Sequence, residues 1–545
     1  MKQLYTLLLL CLPLLILGQQ KFDYTVSEPY KVIDSRYKFY LSAFSMSATS
    51  PDNTLVLGIK YLGKKGLSIQ YFDAKTMKEK LRNTVSLPDG IYIEHVSWLG
   101  NRAYLYYSMW DKPNTTEQLF CQEIDVNTCT LKGAAKRLIA VKGKLTGVPL
   151  FYVYGFGFGA TNKFSFLHSH DDSKLLVQAR RKPVKKNDAI NNDIIIMYVF
   201  DEEHNELTGN EIKMPYTEQA MDNLDYHLDA DGIPYLLARV RSDGSDKDYK
   251  GAGQNRTINH HIELLKFDIP AGNIKVNKIA VEGYLLKDLH LYDGPNDNMV
   301  CAGFYASIKQ GGFWDDADGF FVFDVKNSGS INHQNFYPIP LEIINQYERQ
   351  GVQNRNARKE KKGKAQFEDL TLRKLSIQDD NSLILIGEKY YLKEHRTSKG
   401  QVYYTYHYED ILITKIASDG QLVWMRKLPK RQMSNLPTGG VGFKYIELKG
   451  KHYMIFLDNV KNMSLELNER PAVHQDGLGG FLTAYGVEDA TGATNKVSIF
   501  DTRNIDGIKI KQFSTYRMLQ CSPDEFILET YKGKKEDVMI KIKVE

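Results

Sequence analysis

The amino-acid sequence predicts an all-β protein folded as a single β-propeller of eight blades, with seven blades as the alternative count. Two repeated strand patterns lead to this prediction. Four-stranded sheets repeated around a common axis also explain how a chain of 545 residues forms one domain.

The first repeated pattern is a turn rich in Asp, Asn, Ser or Gly that precedes a long apolar strand. These strands are enriched in β-branched and aromatic residues, which is typical of a buried sheet. The pattern occurs eight times, at residues 50–62, 99–110, 170–181, 229–240, 297–307, 379–391, 449–460 and 522–531. It predicts eight units, each with this strand as its second strand.

The second repeated pattern is an apolar residue followed by Asp, as in "FFVFDV" (320–325). It recurs at residues 69–74, 121–126, 197–202, 264–269 and 497–502. We interpret it as the end of each third strand: Phe323 packs between sheets and Asp324 begins a hairpin turn. In the sixth unit Ile416 and Ala417 take these positions and Asp419-Gly420 supplies the turn, so the position requires a hairpin and not a carboxylate.

The two ends of the chain are predicted to meet. The last unit has only three strands, ending in "EDVMIKIKVE", and residues 22–32 contain a spare strand. Pairing of the N- and C-terminal strands would close the ring and remove its open edge.

Residues 1–19 have the features of a secretory signal peptide: Lys2, an apolar run, and Gly18 before Gln19. We therefore expect an exported protein with a β-propeller domain over residues 20–545. No later stretch approaches about 18 apolar residues, so no transmembrane segment is expected in the mature chain.

One segment, residues 341–368, interrupts the strand pattern because it is charged and poor in β-forming residues. We predict a helical or mobile insertion between the fifth and sixth units. Its cations are Arg355, Arg358, Lys359, Lys361, Lys362 and Lys364. A second basic loop, residues 179–188, lies in the third unit. Both are either solvated loops or docking surfaces for an acidic partner or an anionic membrane surface.

The net charge of +5 is small for this length and is spread along the chain. It does not indicate nucleic-acid binding, which requires a basic stripe with interleaved aromatic residues.

Four cysteines follow the signal peptide: Cys121, Cys129, Cys301 and Cys521. Cys121 and Cys129 either form a disulfide across a tight hairpin, which export would permit, or are small strand residues. Cys301 lies in an apolar strand and is expected in the core.

Two short segments have ligand-like composition but also fit turns. In "HSHDDS" (168–173), His168 and His170 would share a strand face as zinc ligands require, yet Asp171, Asp172 and Ser173 occupy the turn position of other units. Asp-Gly pairs such as "DADG" (229–232) lack the spacing of a calcium loop and favour hairpins.

No metal or other cofactor is therefore expected. The glycine-rich stretch at 155–161 lacks the phosphate-binding spacing, and we interpret it as a crossing between blades. The common hydrolase, metalloprotease and nucleotide-binding motifs are absent from the sequence.

The densest polar and aromatic cluster lies in the sixth unit, on two segments expected to pair as adjacent strands. Its members are Glu388, Tyr390, Tyr404, Tyr406, His407, Glu409 and Asp410. Aromatic rings with carboxylates and a histidine can bind a sugar or a peptide, or supply an acid and a base. The alternative is a sheet stabilised by cross-strand aromatic pairs. In the seventh unit, His474 and Asp476 are expected on a loop.

The C-terminal third contains the segments "GEKYY" (387–391), "YHYEDILITKIASDGQLVWMRKLPKRQ" (406–432) and "DGLGGFLTAYGVEDATG" (476–492). These segments resemble a group of uncharacterised exported β-propeller proteins of Bacteroidota, and a signal peptide ending in Gly-Gln suits that phylum. Through this group the chain also resembles the periplasmic plug subunit of the type 9 secretion translocon, an exported protein that closes a large outer-membrane pore. The shared segments are structural, so the resemblance implies no catalytic residues.

We expect a non-enzymatic periplasmic propeller that binds an envelope or outer-membrane protein, as plug or scaffold of a secretion complex, with peripheral membrane contact as an option. The chain ends in a blade strand and not in a type 9 sorting domain, which favours the periplasm over the cell surface. One alternative is a glycan- or peptide-processing enzyme, which requires the sixth-unit cluster to converge on the central channel. The other is a carbohydrate-binding protein.

Overall fold

The computed structural model describes residues 21–32, 37–42, 55–147, 163–184, 187–250, 257–279, 281, 283–293, 298–307, 316–326, 330–436, 439–476 and 479–545. Within these ranges the protein is almost entirely β. Two short α-helices are present, α1 (Leu341–Asn345) and α2 (Gln350–Glu360). Residues 1–19, predicted to be a signal peptide, and the glycine-rich stretch at 155–161 lie outside the described residues.

The chain begins with two short strands, β1 (Phe22–Val26) and β2 (Tyr30–Lys31). Blade 1 consists of β3 (Tyr37–Ser42), β4 (Leu55–Tyr61), β5 (Leu67–Asp73) and β6 (Glu79–Val85). Blade 2 consists of β7 (Ile91–Leu99), β8 (Arg102–Asp111), β9 (Thr116–Asp125) and β10 (Thr130–Lys142). Blade 3 consists of β11 (Phe164–His168), β12 (Lys174–Arg180), β13 (Asn192–Asp201) and β14 (Glu206–Thr217).

Blade 4 consists of β15 (Met221–Leu228), β16 (Pro234–Arg241), β19 (His260–Asp268) and β20 (Asn273–Ile279), with a separate hairpin of β17 (Tyr249–Lys250) and β18 (Thr257–Ile258) between β16 and β19. Blade 5 consists of β21 (Tyr284–Asp293), β22 (Asn298–Ser307), β23 (Gly319–Lys326) and β24 (Ile331–Pro338). The helices α1 and α2 follow.

Blade 6 consists of β25 (Leu370–Ile377), β26 (Leu383–Arg396), β27 (Val402–Ile416) and β28 (Leu422–Leu428), and its sheet is extended by β29 (Gln432–Ser434). Blade 7 consists of β30 (Lys444–Leu448), β31 (Lys451–Asp458), β33 (Phe481–Glu488) and β34 (Thr494–Asp501), while β32 (His474–Gln475) pairs with β29. Blade 8 consists of β35 (Met518–Gln520), β36 (Glu525–Gly533), β37 (Glu536–Val544) and the N-terminal β1.

The blades form a closed ring because each sheet buries both of its faces. Seven apolar clusters each join two consecutive blades, from blades 1 and 2 through blades 7 and 8. An eighth cluster joins blade 8 back to blade 1, with Ile527 and Met539 against Val56 and Phe72. The structure thus confirms the predicted eight-bladed propeller.

The predicted pairing of the chain ends is also confirmed. β1 pairs antiparallel with β37, from Phe22 opposite Val544 to Val26 opposite Ile540. Blade 8 therefore takes three strands from the C-terminal end of the chain and its fourth from the N-terminal end.

Both repeated sequence patterns mark strands, with two corrections. All eight turn-plus-strand patterns overlap the second strand of a blade. The apolar–Asp pattern ends or lies in the third strand of blades 1 to 5. At residues 497–502, however, it lies on β34, the fourth strand of blade 7, so this assignment was wrong. In blade 5, Phe323 is buried between blades 4 and 5 as expected, but β23 continues to Lys326 and Asp324 therefore does not begin the turn.

Where the pattern does begin a turn, the carboxylate acts as predicted. Asp73 accepts hydrogen bonds from the backbone N–H groups of Lys75 and Thr76, both at 2.9 Å. Asp419 accepts one from Gln421 N–H at 3.0 Å in the sixth blade. The turn, and not a ligand, explains the recurring Asp.

The first strands of blades 8, 1, 2, 3, 4 and 5 contact one another in turn, which places them innermost in the ring. Three of these strands carry a carboxylate at an irregularity in the strand pairing, and this carboxylate reaches the next blade. Glu94 accepts from Lys163 N–H at 2.9 Å, Asp225 from Leu291 N–H at 2.9 Å, and Asp288 from Leu372 N–H at 3.4 Å. Burial raises the pKa of Glu94 and of Asp288. Repeated carboxylate-to-amide bonds thus tie neighbouring blades together around the axis.

The disulfide alternative for Cys121 and Cys129 does not hold. Cys121 lies opposite Lys136 on β10, whereas Cys129 lies in the turn before β10. The two side chains belong to apolar clusters on opposite faces of blade 2, and all four described cysteines are buried free thiols. Cys301 lies in the core, as predicted.

No helix among the described residues is both long enough and apolar enough to span a membrane.

A buried ionic group closes the ring on the side of blade 1. Glu529 on β36 accepts a hydrogen bond from Tyr30 Oη on β2 at 2.7 Å, and its Oε1 lies 3.3 Å from Lys60 Nζ on β4. The Lys60 and Glu529 side chains are almost inaccessible to solvent. One carboxylate thus joins the N-terminal segment, the first blade and the last blade.

The variant Glu529→Gln should therefore lower the free energy of unfolding by about 3–5 kcal/mol, because it removes the charge that neutralises the buried Lys60 ammonium group. Urea denaturation followed by tryptophan fluorescence measures the shift of the midpoint. The control Glu28→Gln changes an exposed glutamate near β2. Equal midpoints for the two variants would contradict the role given to Glu529.

Candidate functional site

The insertion, the end of the sixth-blade hairpin and the residues around His474 lie on one face of the ring. In an antiparallel four-stranded blade, the connection between the second and third strands lies at the same end of the sheet as the connection to the next blade. The helices α1 and α2, the β26–β27 hairpin and the residues before and after β32 are all connections of these two kinds. We call this side of the ring the insertion face.

Blade 6 extends beyond its neighbours on this face. β26 and β27 have 14 and 15 residues and remain paired up to Arg396 opposite Val402, whereas β25 begins at Leu370 opposite Lys389. The part of this hairpin beyond β25, residues 391–396 and 402–406, is called the ribbon. The prediction that the two sixth-unit segments form adjacent strands is confirmed.

Aromatic rings pair across the two long strands. Tyr390 lies opposite Tyr408 with ring centres 4.9 Å apart, and Tyr391 stacks on His407 at 4.6 Å. The His407 Nε2 atom lies 2.9 Å from Thr405 Oγ1, and burial lowers the His407 pKa. These contacts fit the alternative in which cross-strand aromatic pairs stabilise the sheet.

Glu388 is a structural anchor and not an accessible binding group. Its Oε1 lies 2.8 Å from Lys430 Nζ, its Oε2 lies 2.8 Å from Arg373 Nε, and its side chain is buried. Burial lowers the pKa of Lys430, and the adjacent Glu388 carboxylate opposes that shift. A buried carboxylate held by two cations is fully engaged within the protein.

Glu409 is engaged in the same way. Tyr391 Oη donates to it at 3.1 Å, and the guanidinium groups of Arg431 and Arg470 lie 3.5 and 3.4 Å from its oxygen atoms. Burial acts to raise the Glu409 pKa, but the surrounding cations, Lys389 and Arg470 foremost, hold it below its usual value. The carboxylate therefore stays ionised.

Asp410 joins blade 6 to the insertion through Lys427. The Lys427 Nζ atom lies 3.0 Å from Asp410 Oδ2 and also donates to the backbone oxygens of Ile344 at 3.2 Å and Gln346 at 2.8 Å. The Lys427 side chain is only 2% exposed. One buried ammonium group thus fixes the end of α1 against β27 and β28.

The predicted insertion is helical within residues 341–360 and encloses a polar cleft against blade 6. The cleft has a volume of about 140 Å³. Its charged lining residues are Glu348, Arg355, Glu368, Lys389, Asp410, Lys427 and Arg470. Burial raises the pKa of Glu348. The structure thus brings Arg355 and Asp410, predicted from two separate segments, to one cleft.

The other cations of the insertion divide into two groups. Lys359 Nζ lies 3.0 Å from Glu368 Oε1, so its charge is neutralised within the insertion. The Arg355, Arg358, Lys361, Lys362 and Lys364 side chains are exposed. These five cations are available to a partner.

The ribbon exposes large apolar and aromatic side chains beside these cations. Leu392 is 49% exposed and Tyr404 44%, and Val402 and Tyr403 are exposed to a similar degree. Tyr404 Oη donates to Glu394 at 3.3 Å, and Tyr406 is partly buried. On blade 7, Met463 and Leu467 add exposed apolar surface to the same face.

The remaining candidates are structural. The 168–173 segment forms a turn in which Asp171 accepts from Ser169 Oγ at 2.6 Å, and burial lowers the His168 pKa. His474 is buried on β32, and burial lowers its pKa to about 4, while Asp476 accepts from Gly440 N–H. Across the part of the chain that the structure describes, no three His, Cys, Asp or Glu residues are arranged to hold a metal ion.

Sequence reasoning missed the cations that organise the site: Lys427, Lys430 and Arg470. The first two lie in "WMRKLPKRQ" (424–432), where two lysines follow an apolar strand within a short distance. Lysines that adjoin buried strands signal ion pairing, because an unpaired ammonium group is rarely buried. Arg470 has no such signal, since it reaches Glu409 across 61 residues of sequence.

No protein-family model and no curated protein matches this chain. Among solved structures, it is similar to a prolyl endopeptidase at 10% identity and a TM-score of 0.38, over 95% of this chain and 55% of that chain. It is also similar to an uncharacterized protein from Listeria monocytogenes EGD-e, at 10% identity and a TM-score of 0.37, over 83% of this chain and 96% of that chain. A third similar structure is a europium-containing methanol dehydrogenase, at 8% identity and a TM-score of 0.40, over 95% of this chain and 93% of that chain. The chain spans about half the length of the endopeptidase. These likenesses assign no activity, and the fold rests on the sheet topology.

The variant Lys427→Met should loosen the insertion, because it leaves Asp410 and two backbone oxygens without their buried donor. We expect a loss of about 3–5 kcal/mol of stability and faster tryptic cleavage within residues 341–368. Limited proteolysis with mass spectrometry identifies the cleavage sites.

Lys399→Met, which changes an exposed lysine in the turn at the end of the ribbon, is the control and should leave both quantities unchanged. If the insertion of Lys427→Met is cleaved no faster than that of the control, Lys427 does not fix the insertion.

Proposed function

We propose that this chain is an exported bacterial envelope protein that binds another envelope protein through its insertion face, without catalysis. The observation that carries the proposal is the exposed cations of α2 beside the exposed apolar and aromatic side chains of the ribbon. Buried lysines join the two elements to the ring: Lys430 holds Glu388 below the ribbon, and Lys427 holds both Asp410 and the backbone of the insertion.

The composition of this surface supports a protein interface. Interface cores are enriched in tyrosine, methionine and arginine, and exposed apolar patches on a folded domain mark interaction sites. Tyr403, Tyr404 and Met463 together with Arg355 and Arg358 provide these residue types. The excess of cations indicates that the partner surface is acidic.

The arrangement of the sixth-blade cluster favours binding over catalysis. Its residues lie on the second and third strands of the blade, whereas the strand that bonds to the first strand of blade 5 is β25. Glu388, Glu409 and Asp410 each hold at least one cation. The enzyme alternative requires carboxylates that face the channel and can exchange protons with a substrate, and this arrangement offers it no support.

The secretory leader and the resemblance to exported propellers of Bacteroidota support an envelope location, and the periplasm is the compartment we propose. Within that envelope, the role closest to the resemblance is plug or scaffold of an outer-membrane secretion complex. The carbohydrate-binding alternative from the sequence stays a prediction, since exposed tyrosines also stack on sugar rings.

Affinity purification of the full chain from its native envelope should return one stoichiometric partner. Reversing one exposed cation on α2 and one just after it, in Arg358→Glu with Lys362→Glu, should lower the recovered amount about tenfold or more, because the acidic partner then meets like charge. Added salt should weaken the wild-type complex.

The matched control is Lys75→Glu with Lys78→Glu, which reverses two exposed lysines in the turn between β5 and β6, on the opposite face of the ring. It should bind as the wild type does. The proposal fails if no stoichiometric envelope protein is recovered, or if the two double variants lose the partner equally.

A further inference from the structure

The outer edge of β26 has unpaired backbone groups over the length of the ribbon. Tyr390 N–H donates to Asp369 O at 2.9 Å, so the backbone of Tyr390 points toward the side of β25. The pairing with β27 is regular from Tyr390 to Arg396. Because backbone groups alternate sides along an antiparallel strand, Leu392, Glu394 and Arg396 also point their N–H and C=O groups to that side.

No strand covers this edge among the described residues. β25 ends its pairing with β26 at Leu370 opposite Lys389, and β26 has only β25 and β27 as neighbours. The opposite edge of the hairpin differs, since β29 pairs there with residues 406–408 of β27. Three residues with free donors and acceptors thus form a short template for one further strand.

Cations border the start of this template. Lys389 lies three residues before Leu392, with its Nζ 5.9 Å from the centre of the Tyr391 ring. Glu368 links Lys389 to Lys359 of α2 at 3.8 and 3.0 Å, which places α2 beside the edge. Three further cations on or just after α2 are exposed: Arg355, Arg358 and Lys362. Among the described residues, no carboxylate lies at ion-pair distance from any of them, in contrast to Lys359.

We infer that the edge of β26 from Leu392 to Arg396 is the docking site of an extended, acidic segment of the partner, which adds to blade 6 as a strand. The inference rests on the proposed function and specifies how that partner is held. Main-chain hydrogen bonds to Leu392, Glu394 and Arg396 supply the register, and the cations of α2 select acidic side chains.

A second copy of this chain fits the edge poorly. Edge-to-edge pairing of two copies would bring two α2 helices with the same exposed cations toward each other, and Lys393 would add to the repulsion. An acidic strand from a different protein has the complementary charge.

The test uses residue-resolved hydrogen exchange on the full chain with a capped octapeptide of alternating Val and Glu. Without peptide, the amides of Leu392 and Glu394 should exchange faster than those of Tyr391 and Lys393, which bond to β27. With peptide, the amides of Leu392, Glu394 and Arg396 should slow by about tenfold or more, because they enter a strand ladder. A Val-Lys octapeptide should produce no protection.

Glu394→Pro removes one outward N–H group and leaves the bonds to β27 in place, so it should weaken binding of the Val-Glu peptide about tenfold. Its control is Glu394→Ala, which also loses the side chain that Tyr404 contacts but keeps the amide, and it should bind as the wild type does.

The inference is overturned if the peptide leaves these three amides unprotected, if both Glu394 variants bind alike, or if protection appears without peptide at rising protein concentration, which would identify a second copy. If the Arg358→Glu, Lys362→Glu variant loses the envelope partner but Glu394→Pro retains it, the proposed function stands and strand addition is rejected. Protection by the peptide without any recoverable partner would contradict the proposed function alone.

Discussion

The insertion face depends on buried lysines that neutralise carboxylates of the long sixth-blade strands. Lys427 connects Asp410 with the backbone of the insertion, and Lys430 holds Glu388. Removing one partner of such a pair leaves an uncompensated buried charge, so the pairs fix the geometry of the segments that they join. This is why a helical insertion and a long hairpin can present a defined surface although neither belongs to the regular propeller repeat.

The ring supplies the rigid base for this surface. Apolar clusters fill every gap between blades, and carboxylates such as Glu94 and Asp225 bond to amides of the next innermost strand. The variable connections then lie on rigid sheets, which is how loops on a scaffold acquire binding roles. The division resembles that of other scaffolded interfaces: regular strands determine position, and the connections determine chemistry.

The sequence predicted the architecture well because strand periodicity and turn residues are local. Eight turn-plus-strand patterns predicted eight blades, and the incomplete last unit predicted the pairing of the chain ends.

Prediction from local sequence patterns fails where the partner of a side chain is distant in the sequence. A shift in register between β9 and β10 places Cys121 opposite Lys136, so the short spacing to Cys129 misled the disulfide alternative. The sequence suggested Glu388 and Asp410 as binding groups because their partners, Lys430 and Lys427, do not lie on the same strands as these carboxylates. The exposed cations of α2 and the exposed Tyr404 were found because charge and aromatic density are visible in the sequence itself.

The central claim is that the partner contacts the insertion face at blade 6. Photo-crosslinking in the native envelope tests it most directly, with a photoreactive phenylalanine analogue placed at Tyr404 on the ribbon or at Thr128 in the turn between β9 and β10, on the opposite face. The account predicts a single crosslinked partner from position 404 and none from position 128. A partner crosslinked from position 128 but not from position 404 would contradict it.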